Sequence, residues 1–249
     1  MNIVSDITYN NGNEKLDLYL PDSKQFPVLI YFHGGGLQFG DKTDDRVFIE
    51  YMVSKGFAVA SANYRLYPNA KYPQFIEDAA EAVNWVYKNI GEYGVIEKFY
   101  IGGSSAGGYI SMMLFFDKNY LGKYAIDADD IDGYILNSGQ PTTHFNVLHE
   151  RGCDKRRVIV DEAAPLYHIT ENREFAPFII IVAENDMENR LEQNQLLYST
   201  IKHFSGNMDK NDFVIVDKFK HCEYCNALDE YGENVFGKIV MNFVDNITP

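Results

Sequence analysis

The sequence predicts a three-layer α/β fold: a mostly parallel, eight-stranded sheet with helices on both faces. Three observations predict it. Continuous apolar runs of strand length recur along the chain, stretches with helical periodicity separate them, and several runs end directly in glycines. Buried strands alternating with helices require right-handed crossovers, and hence parallel pairing.

Two strands open the chain, near Val4–Tyr9 and Glu14–Leu20. The second alternates, with Leu16, Leu18 and Leu20 facing one way and Asp17 and Tyr19 the other. Such alternation predicts an antiparallel, half-exposed pair. Buried-type runs follow at Val28–Phe32, Ala58–Ala62, Phe99–Ile101, Gly133–Leu136, Phe178–Ala183 and Phe213–Val216. The clearest helix is Tyr72–Ile90, where Phe75, Ala79, Val83, Val86 and Ile90 recur at three- and four-residue steps and form one apolar face. Further helices are predicted at Arg46–Lys55, Ala106–Phe116, Leu191–Phe204 and Asn234–Val244. No repeat or Pro/Gly/Ser-rich linker divides the chain, so residues 1–249 read as one domain.

Composition excludes several function classes. Apolar residues make up 46% of the 249, an ordinary globular share. No window approaches the roughly 18 apolar residues of a membrane helix. The formal charge of -14 repels phosphate backbones and anionic lipid, so neither nucleic acid nor membrane is an expected partner. Met1–Asp6 carries an early acid and no basic segment, which predicts no signal peptide and a cytoplasmic location. Three cysteines, Cys153, Cys222 and Cys225, make no disulfide framework. Cys222-x-x-Cys225 has the spacing of a redox or zinc pair, but a second such pair is missing from the sequence, so no metal is expected.

The strongest local signal is Gly103-Ser104-Ser105-Ala106-Gly107, a G-x-S-x-G between an apolar strand and a helical stretch. A serine presented on a tight strand-to-helix turn needs a strained backbone, and Cβ atoms two residues to either side would collide with the neighbouring strand and helix. Ser105 has glycines at both positions and Ser104 does not, which makes Ser105 the nucleophile. The motif lacks the lysine of a phosphate-binding Walker loop. Upstream, His33-Gly34-Gly35-Gly36 directly follows a buried strand. Its glycines let backbone N–H groups turn toward a ligand. With the elbow they predict an oxyanion hole formed by the N–H groups of Gly35, Gly36 and Ala106, with His33 holding the loop.

These two motifs resemble the α/β-hydrolase fold, in particular its hormone-sensitive-lipase-like and acetylxylan/feruloyl-esterase-like groups. Leu18-Tyr19-Leu20-Pro21, Phe39-Gly40-Asp41-Lys42, Asn63-Tyr64-Arg65-Leu66-Tyr67-Pro68 and Tyr72-Pro73 with Glu77-Asp78 resemble further segments of those groups, and Arg65 with Asp78 reads as a structural ion pair. Two positions depart from them: Leu37 replaces a common aromatic residue, and Ser104 replaces the aspartate of the lipase-like branch.

The resemblance implies a serine esterase with its residues in the chain order serine, acid, histidine. It places the acid after the strand Phe178–Ala183, where Asp186 matches and Glu184 and Glu188 are rivals. Among six histidines, His221 alone follows a late strand and precedes the final helix, where the fold puts its base. The triad is therefore Ser105, Asp186 and His221, working through an acyl-enzyme without a cofactor. A small lid is expected within residues 140–175, with Leu37, Thr142 and Phe145 (and Thr143 and Leu148 beside them) lining a substrate pocket. So short a lid favours small acyl esters, such as acetylated sugar or aryl esters. A formamidase or small peptidase with the same triad, and a non-catalytic binding protein of the same fold, are the alternatives. The expected partner is a small-molecule ester, and a homodimer is left open.

Overall fold

The computed structural model describes residues 1–171, 173–205 and 208–247. In chain order its elements are β1 (Asn2–Thr8), β2 (Lys15–Leu20), β3 (Gln25–Phe32), α1 (Arg46–Ser54), β4 (Ala58–Ala62), α2 (Gln74–Asn89), β5 (Val95–Ser104), α3 (Ala106–Phe116), α4 (Asn119–Gly122), β6 (Gly133–Asn137), α5 (Phe145–Glu150), β7 (Phe178–Asn185), α6 (Arg190–Phe204), β8 (Asn211–Lys220) and α7 (Val235–Ile247). The eight strands form one sheet in the order β1-β2-β4-β3-β5-β6-β7-β8. β2 pairs antiparallel with both β1 and β4, and every later pair is parallel.

Each face of the sheet is covered by helices. On one side α2, α3 and α6 pack on the alternate residues Val28, Ile30, Phe32, Ile101, Tyr134, Leu136, Phe178 and Ile180. On the other, α1 and α7 pack on Leu29, Tyr31, Tyr100, Ile135, Ile179 and Ile181. This period-2 division is why the central strands read as unbroken apolar runs. The predicted stripe of α2 (Phe75, Ala79, Val83 and Val86, with Ile90 just beyond it) is completely buried. α3 is buried on every side, as its eleven residues from Ala106 to Phe116 lie between the sheet and its neighbours. Fully burying one large apolar side chain contributes roughly 1.5–3 kcal/mol, so this layer carries much of the fold's stability.

The reading of β2 as half-exposed is corrected. Asp17 and Tyr19 are as buried as the leucines between them. β2 is not an edge strand, and Tyr19 packs under Phe48, Ile49 and Met52 of α1. Asp17 is tolerated there because Lys42 Nζ meets its carboxylate at 2.9 Å and the Asp6 N–H donates to it at 2.7 Å. The expected Arg65–Asp78 pair is present as a forked contact, with Nη2 at 2.7 Å and Nε at 2.8 Å from the buried carboxylate.

The segment expected to form a lid contains α5 and a 3-10 turn, Pro165–His168, within otherwise irregular backbone; residue 172 lies outside the described residues. Among the described residues no helix is long and apolar enough to cross a membrane.

Candidate active site

The C-terminal ends of five adjacent parallel strands bring the candidate residues together. β3 delivers His33–Gly36, β5 delivers Ser105, β6 delivers Asn137 and Ser138, β7 delivers Asp186, and the turn after β8 delivers His221. Open α/β sheets bind ligands at this edge because the crossing loops diverge there.

Ser105 sits at φ +55° and ψ -111°, a conformation costly for a residue with a side chain. Its N–H donates to the Asn137 carbonyl at 2.8 Å, and its carbonyl accepts from Tyr109 N–H at 2.9 Å, which hold the turn in place. The flanking glycines are required by contact. A Cβ at Gly107 would stand 1.9 Å from the Phe32 carbonyl oxygen, and one at Gly103 would stand 2.5 Å from the backbone of Gly107. Strand β3, the turn and the start of α3 thus touch backbone to backbone, and only glycine fits between them.

The turn directs the Ser105 hydroxyl at His221, with Oγ 2.7 Å from Nε2. The other ring nitrogen, Nδ1, lies 2.6 Å from Asp186 Oδ1. Three N–H and O–H donors fix that carboxylate: Met187 N–H at 2.7 Å on Oδ1, and Ser138 Oγ at 2.8 Å and Ala183 N–H at 3.3 Å on Oδ2. The Asp186 side chain is 1% exposed and the His221 side chain 24%. Burial alone would raise the Asp186 carboxyl, but the His221 bond and charge, with the Ser138 and Met187 donors, hold it below the usual carboxylate range. Burial likewise favours the neutral imidazole of His221. Its bonds to Asp186 and to the neighbouring Cys222 thiol override that and push it up to about 9.

The glycine-rich loop lies against the serine: a Cβ at Gly34 would stand 3.4 Å from Ser105 Cβ. Gly35 and Gly36 adopt φ of +104° and +62°. Among the described residues no acceptor is bonded to the N–H groups of Gly35, Gly36 or Ala106, and Ala106 opens α3, where the helix dipole adds positive potential. His33 holds this loop from inside. It is buried, stacks on Tyr64 with ring centroids 4.5 Å apart, and places Nδ1 2.7 Å from the Gly34 carbonyl, while Tyr64 OH donates to the His33 carbonyl at 2.9 Å.

The pocket expectations divide. Phe145 is half-buried, its ring edge would meet a Cβ at Gly36 at 3.1 Å, and it lines a cavity of about 310 Å³ with Gln140, Arg157, Met187 and Gln193. Leu37 and Thr142 are corrected: both are buried completely, Leu37 within the core and Thr142 tied through its hydroxyl to Gln140 and Gln193. Thr143 and Leu148 are also buried. The rivals Glu184 and Glu188 are exposed, and Glu184 accepts from Lys218 N–H instead. A larger cavity, of about 920 Å³, opens beside Phe175–Pro177 and Lys210–Asn211, at the opposite edge of the sheet from the serine.

Sequence reasoning missed the residues that pack behind Ser105, His221 and Asp186. Ser138 steadies Asp186. Tyr224 OH donates to Asn137 Oδ1 at 2.5 Å, and Arg190, buried at the start of α6, donates to the Ser138 carbonyl. The one available signal was position, since Asn137-Ser138-Gly139 ends an apolar strand just as His33-Gly34 does. Among the described residues no cluster of three or more His, Cys, Asp or Glu is placed to hold a metal ion.

Comparison with known proteins agrees with this architecture. Residues 16–127, just under half of the chain, match the family model described as BD-FAE. Esterase LipI of Mycobacterium tuberculosis is 38% identical over 96 residues, which is 38% of this chain and 30% of that protein. Kynurenine formamidase of Danio rerio is 33% identical over 112 residues, 44% of this chain and 37% of that protein. The alignments thus take in well under half of either relative's length. Solved structures are similar over nearly the whole chain. Esterase B of Lactobacillus Rhamnosis superimposes with a TM-score of 0.78 at 17% identity, over 99% of this chain and 86% of that one. Thermogutta terrifontis esterase 2 does so with 0.79 at 21% identity, over 99% and 94%. The chain therefore has the α/β-hydrolase fold, and its residues 16–127 carry the BD-FAE family pattern.

Proposed function

We propose that this protein is a serine carboxylesterase that cleaves small acyl esters with Ser105, His221 and Asp186. The observation that carries this reading is the continuous hydrogen-bonded chain from Ser105 Oγ through both nitrogens of His221 to a buried carboxylate. A serine hydroxyl is a weak nucleophile until a base accepts its proton, and the base must be held in one orientation and tautomer.

His221 Nε2 takes the Ser105 proton as Oγ attacks the ester carbonyl. Asp186 stabilises the imidazolium that forms. The carbonyl oxygen becomes an oxyanion and accepts from the N–H groups of Gly35, Gly36 and Ala106. His221 then protonates the departing alcohol, and a water activated by the same nitrogen releases the acid from Ser105. Removal of one such oxyanion donor costs about 10²–10³ in kcat in a comparable site.

The cavity of about 310 Å³ lined by Phe145 and Met187, neighbours of Gly36 and Asp186, supports a small-molecule ester, with acetylated sugar or aryl esters as the class to try first. The proposal is tested with a fluorophosphonate probe and an acyl series on one aryl leaving group. A single adduct is expected on the wild type and none on Ser105→Ala, with acetate cleaved fastest. Absence of an adduct on folded protein would favour a binding protein instead, and preference for long acyl chains would overturn the small-ester assignment. The similarity to a kynurenine formamidase supports one second reading, hydrolysis of an aryl formamide. Turnover of an N-formyl arylamine faster than the matching acetate ester would select it.

A further inference from the structure

Cys225 belongs to the core on the α1 and α7 side of the sheet and Cys222 packs at its margin, but the proposed hydrolytic chemistry uses neither thiol. His221 is followed immediately by a tight turn in which Cys225 N–H donates to the Cys222 carbonyl at 3.1 Å. A turn closed this way keeps its first and fourth Cα atoms within about 7 Å, the range a disulfide spans. Cys222 is half-buried beside the open site, with Sγ 3.9 Å from His221 Nε2, while Cys225 is buried behind it, where Asn137 Nδ2 donates to its sulfur at 3.1 Å. The two environments differ. The Cys225 thiol, followed by the His221 ring, draws the Cys222 thiol below its ordinary value, and burial pushes the Cys225 thiol up. A half-buried thiol beside a histidine, backed by a second thiol one turn away, is the arrangement of a peroxide-reactive pair.

We propose that Cys222 and Cys225 form a reversible disulfide on exposure to a hydroperoxide, and that closing it switches off the adjoining Ser105–His221 pair. The thiolate of Cys222 attacks one peroxide oxygen and breaks the O–O bond. The second oxygen leaves and takes a proton as water, giving a Cys222 sulfenic acid. Cys225 Sγ then attacks the Cys222 sulfur, and the sulfenic hydroxyl departs with the Cys225 proton as a second water. Two thiols lose two electrons and one hydrogen peroxide becomes two waters. A dithiol such as dithiothreitol reverses the step by exchange.

The S–S bond, about 2.05 Å long, draws Cys222 Sγ toward Cys225 and away from His221. His221 is the adjacent residue, so the turn that repacks is the one that carries the base. A displacement of about 1 Å within a catalytic constellation costs roughly 100-fold in rate.

The activity part rests on the esterase reading; the disulfide itself does not. The full-length reduced protein is treated with hydrogen peroxide. Peptide mapping by mass spectrometry and ester hydrolysis are followed together, before and after dithiothreitol. Expected are a Cys222–Cys225 linked peptide two hydrogens lighter, a fall in kcat of tenfold or more, and recovery of both with dithiothreitol. Cys225→Ser should retain a dimedone-trappable sulfenic acid on Cys222, and Cys153→Ser should behave as the wild type. Oxidation of Cys153 with no 222–225 link overturns the proposal, and so does a complete link with unchanged hydrolysis. A link formed in a protein whose reduced form cleaves no ester upholds the site and counts against the esterase reading.

Discussion

His221 Nδ1 stands 2.6 Å from Asp186 Oδ1, a carboxylate shielded from water and held by three further donors. This contact fixes which nitrogen of His221 carries the proton, and so leaves Nε2 as the acceptor facing Ser105. Asp186→Asn keeps the shape but allows the amide to donate to Nδ1, which stabilises the wrong tautomer. The expected loss is about 10⁴-fold in kcat, with KM little changed. Steady-state kinetics check it, and a loss under tenfold would remove Asp186 from the triad.

A second expectation concerns pH. In the proposed mechanism His221 must be neutral to accept the Ser105 proton, yet its partners push it up to about 9 against the opposing effect of burial. The value of kcat/KM should therefore rise about tenfold per pH unit through neutrality and level off near pH 9. Asp186 and Cys222 are the groups that favour the imidazolium. Cys222→Ser removes one of them, so the acid limb should move to lower pH. A limb that stays put or moves upward would show that the thiol exerts no such hold.

The parts of this arrangement readable from sequence are those that local chemistry dictates. Ser105 could be located because glycine at 103 and 107 answers a steric demand that any other residue fails. His221 could be located because the fold's chain order leaves few candidates. The strand runs were legible because two covered faces demand uninterrupted apolar residues. What stayed hidden depends on pairs far apart in the chain. The Asp17–Tyr19 face of β2 alternates as an exposed strand would, and only α1 and Lys42 reveal it as buried. Ser138, Asn137 and Tyr224 carry no motif, since they meet across loops. Leu37 and Thr142 lie close in sequence to the proposed oxyanion loop and the lid, but both side chains turn inward.

The steric account of the elbow predicts a sharp contrast between two glycines. In Gly107→Ala the new methyl would overlap the Phe32 carbonyl at 1.9 Å, with the Phe32 carbon and His33 oxygen also close, and backbone cannot swing aside. The expected cost is about 4 kcal/mol or more, together with loss of probe labelling. Gly122→Ala, at the end of α4, meets open space. It should be neutral or stabilising by up to about 1 kcal/mol, because alanine loses less conformational entropy on folding. Denaturant unfolding of both variants checks the contrast.

The buried Lys42–Asp17 pair provides the last test. Lys42→Met leaves the Asp17 carboxylate out of water with only the Asp6 N–H as partner. Removing one member of such a pair typically costs 3–5 kcal/mol, because the remaining charge is uncompensated rather than because the pair itself is strongly stabilising. The double variant Asp17→Leu/Lys42→Met removes both charges, and most of that loss should return. Neither side chain bonds to Ser105, Asp186 or His221, so turnover per folded molecule should hold. If the double variant unfolds as readily as the single one, the pair stabilises β2 by more than mutual neutralisation. If the single variant loses under about 1 kcal/mol, water reaches Asp17 and the corrected reading of this face fails.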